Sequence, residues 1–154
     1  MSKSENSHNI QGSWRGKYYY AGEGRAFGFE AVFIEYNGAI EGNILDDGDL
    51  GEAIVGGSFS YPNVKFTKRY RRVGLDSPNY QGTMSEDGKK LSGKWLISKT
   101  RLTHRTISGP WVAMRLDDGT MEELDKLIDK ELFKELEPER ILVTPGVQKE
   151  SGLS

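Results

Sequence analysis

Cysteine is absent from the 154 residues, which excludes disulfides, thiol nucleophiles and thiolate metal sites. Histidine occurs twice, His8 near the polar start and His104 in the basic stretch 101–105, so no histidine-rich metal site is expected. No apolar run approaches the ~18 residues needed to cross a bilayer. The start, Met1 to Gln11, lacks the apolar centre of a signal peptide. Without a span or a signal peptide the protein reads as cytoplasmic with no membrane partner, and residues 1–10 read as a disordered tail; the missing cysteines do not decide the compartment. The triplet of carboxylates in Asp46-Asp47-Gly48-Asp49 lacks calcium-loop spacing and reads as a turn. Gly22-x-Gly24-x-x-x-Gly28 misses the dinucleotide-binding spacing and precedes a strand rather than a helix. No nucleophile–base pair can be named, so catalytic residues, metal and cofactor are all expected to be none, and the protein reads as a binder more readily than as an enzyme.

Charge is present but unevenly placed. The formal net charge is -2, yet residues 117–140 carry ten acidic and four basic side chains, a local -6 that leaves +4 for the rest. An acidic C-terminal piece can therefore be drawn to a mildly basic body. The net negative charge argues against a nucleic-acid partner. A stripe of Arg15, Lys17, Tyr19, Arg69 and Arg71 suited to single strands is the weakest of the functional readings.

Glycine is plentiful, with 19 residues, and it is patterned. Seven glycines open the same motif, Gly-x-large apolar, ending at Trp14, Tyr18, Ile44, Phe59, Met84, Trp95 and Trp111. Residues i and i+2 of a strand face the same way. Each glycine thus shares a face with a bulky neighbour, as a sharply curved small barrel requires. Asn37-Gly38 signals a hairpin, and Asp47-Gly48, Pro62-Asn63 and Asp87-Gly88 mark further turns. Strands are expected at 12–20, 27–36, 39–46, 51–61, 64–72, 79–85, 90–98 and 107–116. Eight short strands with hairpin-length links predict a closed antiparallel up-and-down barrel in a mainly β protein.

The period then changes. Thr120-Met121-Glu122-Glu123 is a capping box. Met121, Leu124, Leu127, Ile128, Leu132 and Leu136 share one helical face, and Pro138 is read as the stop, giving a C-terminal helix over 120–137. Ile141 to Val143 are a candidate edge strand. One domain is expected over 11–143, followed by a flexible tail at 144–154.

The glycine phase fixes which side chains face inward. Trp14, Tyr18 and Tyr20 point in, with Arg15 and Lys17 out. Ile40 and Ile44 point in, as do Leu91, Trp95 and Ile97. In the second strand Phe27, Phe29 and Phe33 are taken as inside, which leaves Val32, Ile34 and Tyr36 outside as a dock for the helix or a partner subunit. If Val64 and Phe66 point inward in the fifth strand, Lys68, Tyr70 and Arg72 follow. A charge cannot sit unpaired in a dry core, so these residues lie at a wet mouth, bind an anion, or leave the phase. For the run Lys68, Arg69, Arg71 and Arg72 a solvated strand end is preferred. The alternative is a ligand wall of Tyr18, Tyr20, Phe29, Phe33, Lys68, Tyr70, Arg72, Tyr80 and Trp95 around a small hydrophobic or anionic molecule.

Gly12-Ser13-Trp14 at the first strand, Arg115 near the end of the last, and the helix that follows resemble the calycin superfamily of lipocalins, fatty-acid-binding proteins and avidins. The resemblance is architectural and covers about residues 12–138. It implies an eight-stranded barrel in which Arg115 closes over Trp14. The chain lacks the lipocalin Thr-Asp-Tyr signature before strand seven. Lys68-x-Tyr70-x-Arg72 is similar to the Arg-x-Tyr carboxylate clamp of fatty-acid-binding proteins but occupies a middle strand. The expected function is a binding barrel for an amphipathic or anionic ligand, lipid-like or an aromatic acid. The alternative is a non-enzymatic interaction module with a filled barrel, forming a homo-oligomer through helix 120–137 or strand 27–36.

Overall fold

Every strand pairs with its successor and the last returns to the first. In the computed structural model β1 (Gly12–Tyr20), β2 (Arg25–Tyr36), β3 (Ala39–Asp46), β4 (Glu52–Ser60), β5 (Asn63–Tyr70), β6 (Asn79–Met84), β7 (Lys90–Ile97) and β8 (Ile107–Arg115) form a closed antiparallel barrel, followed by α1 (Met121–Val143). The structure describes residues 8–21, 23–117 and 119–143, with side chains to Leu136. The eight strands lie within two residues of their expected bounds. Asn37 and Gly38 both adopt positive φ (50° and 85°), the geometry a two-residue hairpin needs between right-twisted strands.

Alternation sorts the wall as the glycine pattern predicts. Trp14, Ile44, Phe59, Met84, Trp95 and Trp111 are all buried, and Tyr18 is partly so. Gly16 is required where it stands, because a Cβ there would overlap the Phe29 ring across the β1–β2 pair. The interior is dry and aromatic through its middle, with Phe66 stacked on Tyr80 at 4.9 Å and Trp111 edge-on to both.

Closure at one end is tight. Arg115 lies 4.4 Å above the Trp14 ring and donates to the Gly88, Gln11 and Asn9 carbonyls. Trp14 Nε1 donates to the Ile10 carbonyl at 3.0 Å, and the Ile10 N–H donates to Glu35 at 2.9 Å. Ile10 is fully buried, so residues 8–10 belong to the fold and not to a tail: burying that side chain recovers about 2 kcal/mol, enough to hold the segment down. The tails expected at 1–7 and 144–154 lie outside the described residues.

The helix corrects three expectations. Its start is the capping box, with reciprocal bonds between Thr120 and Glu123. It does not stop at Pro138, and residues 141–143 are helical rather than an edge strand. Proline's fixed φ lies in the helical range, although inside a helix it removes one hydrogen bond and crowds the carbonyl four residues back, at about 3 kcal/mol. Nor does it dock on β2. It lies across β1 and β8, where Leu124, Ile128 and Leu132 bury against Val112 and Tyr19. Charge explains the choice. Arg15 Nε meets Asp125 at 2.8 Å, Lys17 meets Asp129 at 2.9 Å and Lys90 meets Glu131 at 2.9 Å, so the acidic helix finds its basic wall. Arg15 points outward as expected yet is buried beneath the helix, and its other partner, Asp47, lies 2.8 Å away on the β3–β4 loop. Val32, Ile34 and Tyr36 stay exposed. Among the described residues no helix is long and apolar enough to cross a membrane.

Candidate functional site

The end of the barrel opposite Trp14 is open. Strand alternation brings Tyr18 and Tyr20 of β1, Asp46 of β3, Lys68 and Tyr70 of β5, Tyr80 of β6 and Trp95 of β7 toward this end. The loops 71–78 and 98–106 reach over it and are tied together by the Arg101 N–H donating to Asp76 at 3.1 Å. Between loops and barrel lies a cavity of about 280 Å³. Tyr18, Tyr20, Tyr70, Tyr80 and Trp95 line its depth, and Leu75, Ile97, Leu102 and Ile107 line its upper wall. A wider depression of about 710 Å³ on the outer wall, among Ser58, Lys65, Gln81 and Lys94, is a shallow trough with polar sides. The inner cavity has the concave, mostly apolar lining with a few convergent polar groups that small-molecule sites share.

Below the cavity sits an ion pair inside the barrel. Lys68 is fully buried and its Nζ lies 3.1 Å from Asp46 Oδ1. Asp46 Oδ2 accepts from the Tyr70 hydroxyl at 2.6 Å and from Tyr18 at 3.4 Å. The Lys68 ammonium is also caged by rings, with centroids at 4.7 Å for Tyr18, 5.2 Å for Tyr70 and Tyr80 and 5.3 Å for Phe29. Ring faces carry negative quadrupole and offset part of the desolvation of the cation. Burial pulls the Lys68 pKa below its ordinary value against the opposing pull of Asp46. Burial, with the Asp46 charge behind it, pushes the phenols of Tyr18 and Tyr70 up, so both remain protonated donors.

The solvated reading of the basic run therefore fails for Lys68. A lysine can follow Phe66 inward because Asp46 meets it there, the partnered burial that offsets desolvation. Arg71 and Arg72 do lie in solvent, with Arg72 beyond the end of β5 and bonded to the Asp49 carbonyl at 2.7 Å. The turn reading of Asp46-Asp47-Gly48-Asp49 is right for the loop and wrong for its first residue. Asp46 ends the alternation Ile40, Gly42, Ile44, Asp46, and following that phase one step further would have found it.

With Arg72 in solvent, the other eight residues of the candidate wall divide in three. Tyr18, Tyr20, Tyr70, Tyr80 and Trp95 border the cavity; Lys68 and Phe29 lie beside its tyrosines without bordering it; Phe33 belongs to the packed interior, against Phe66 at 5.3 Å. The loop residues Leu75, Asp76 and Leu102 were missed, since loops carry no period from which an inward direction can be read. Arg15 and Lys17 of the nucleic-acid stripe are engaged by the helix. The architecture, an eight-stranded antiparallel barrel with one C-terminal helix, is consistent with a calycin-like arrangement. The chain matches no family model, and no curated protein matches it in sequence.

Proposed function

We propose that the protein is a calycin-type barrel that binds a small amphipathic molecule, lipid-like or an aromatic acid, and acts in the cytoplasm as a binder rather than an enzyme. One observation carries the reading: the cavity of about 280 Å³ at the open end, apolar above and lined with tyrosines below. The remainder of the barrel is packed, so the ligand is short or compact and does not run the length of the interior. Its apolar body rests against Trp95, Ile97, Leu102 and Ile107. Native mass spectrometry of freshly purified, undialysed protein tests this. An added small-molecule mass that vanishes on denaturation supports the reading. Apo protein that also fails to bind any of a set of small aromatic and short-chain probes overturns it.

A second reading has its own support. Val32, Ile34, Tyr36, Leu45 and Ile54 stand exposed on the outer wall of β2–β4, a broad apolar surface for a soluble monomer. An interaction module using this strand face for a homo-oligomer would show a mass above that of one chain, reduced to one by Ile34→Asp. A monomeric wild type removes this reading.

A further inference from the structure

The ion pair and the tyrosines beneath the cavity determine what kind of group can enter it. A lysine at the bottom of a ligand cavity suggests a counter-ion for a carboxylate, but Lys68 already has one in Asp46 at 3.1 Å. Its remaining exposure is to ring faces, and neither Lys68 nor Asp46 borders the cavity. Tyr70 and Tyr18 direct their protons to Asp46, which leaves their oxygen lone pairs as acceptors. The Tyr80 hydroxyl differs. The residue is 1% exposed and borders the cavity, and the hydroxyl has no hydrogen-bond partner among the described residues. A buried hydroxyl left unsatisfied costs roughly 1–3 kcal/mol, and such a group in a native fold calls for a functional reason.

We infer that the cavity floor is an uncharged hydrogen-bonding site: the inner end of the ligand is a neutral hydroxyl or carbonyl that accepts from Tyr80, and Lys68 is the counter-ion of Asp46 rather than of the ligand. A hydroxyl fits best, because it accepts from Tyr80 and can donate in turn to the oxygen of Tyr18 or Tyr70. A carboxylate at this depth would lose its hydration with no free cation to replace it, and it would face Asp46. An acid therefore enters tail first, with its charge at the rim. The inference deepens the binding-barrel reading and rests on it.

Three probes of matched shape separate the outcomes: naphthalene, 2-naphthol and 2-naphthoate, titrated against the full chain by quenching of tryptophan fluorescence and by calorimetry. The expected result is that 2-naphthol binds about 10-fold more tightly than naphthalene, the scale of one satisfied buried donor. Tyr80→Phe should erase that gain while leaving naphthalene and 2-naphthoate unchanged. This variant removes a hydroxyl without a partner, so its melting temperature should equal or exceed that of the wild type, which separates lost recognition from lost folding. If 2-naphthol binds no better than naphthalene, or if 2-naphthoate is the preferred probe and weakens on Tyr80→Phe, the neutral-floor inference is wrong while the binding barrel stands. If none of the three binds, the binding barrel itself fails and the inference with it.

Discussion

The two ends of this barrel are closed by opposite chemistry. At the Trp14 end a single arginine lies over an indole and bonds to three backbone carbonyls, groups that do not change charge between neutral and acidic pH. Among the described residues carboxylates enter only at its edge, Glu35 on the Ile10 N–H and Asp87 within its own turn. At the other end closure depends on carboxylates: Asp46 holds Lys68 and two tyrosines, Asp47 holds Arg15, and Asp76 holds the Arg101 amide. The first end is filled and the second encloses space. A barrel that is both rigid and accessible can be built by concentrating apolar burial at one end and polar positioning at the other, since an exchangeable site tolerates less packing than a core does.

The largest expected effects come from removing the keystone of either end. Asp46→Ala leaves Lys68 buried and unpaired, and breaking a buried pair this way costs about 3–5 kcal/mol. Trp14→Ala removes a fully buried indole and leaves a cavity, also costing about 3–5 kcal/mol. Urea denaturation of the two variants makes the comparison direct. What distinguishes them is rescue: the double variant Asp46→Leu, Lys68→Met should recover part of the lost stability, because an apolar pair can replace an ionic one. Equal stability of Asp46→Ala and wild type would mean that the pair is solvated and the ends are not different in kind.

Arg115→Met is the next in size. It keeps much of the side-chain volume over Trp14 but removes the cation–π contact and three carbonyl partners, for an expected loss of about 1–3 kcal/mol. The cavity should not feel it. A probe that binds at the open end should keep its affinity in folded Arg115→Met, and a parallel loss of affinity would show that the two ends are coupled through the wall.

How far the residues announced this arrangement depends on periodicity. The seven Gly-x-apolar motifs fixed strand, phase and inward direction together, so the barrel and its aromatic filling were legible. Arg115 over Trp14 was legible too, through the family resemblance. Lys68 was placed on the inner face by the same alternation, but a charged run suggests solvent until its partner is known. That partner, Asp46, was hidden in an acidic turn, although the β3 phase points straight to it. The helix dock on β1 and β8 was misread because apolar exposure on Val32 and Ile34 was weighed above charge, whereas Arg15, Lys17 and Lys90 supply the basic wall that the acidic helix meets. Half of the upper cavity wall, Leu75 and Leu102, comes from loops, whose direction only the folded chain defines.

The smallest expected effect concerns acid. Asp47 is held below the ordinary carboxylate range chiefly by its hydrogen bonds to Arg15, which also reaches Asp125 of the helix. A depressed folded pKa contributes stability that is present above the unfolded value of 3.8 and lost as pH falls through the lower folded value. Because the Asp47 side chain is half exposed, solvent screening limits its share to under about 1 kcal/mol. Glu131, held low by Lys90, works in the same direction on the same helix. Hydrogen exchange at pH 7 and near pH 3 should therefore show the β3–β4 loop and α1 losing more protection on acidification than the strand ends around Trp14 and Arg115, whose arginine–carbonyl bonds do not titrate. Asp47→Asn should remove part of that pH dependence at the open end and none at the closed end. Equal loss of protection at both ends would contradict the heavier reliance of the open end on carboxylates and of the closed end on Arg115 and backbone carbonyls.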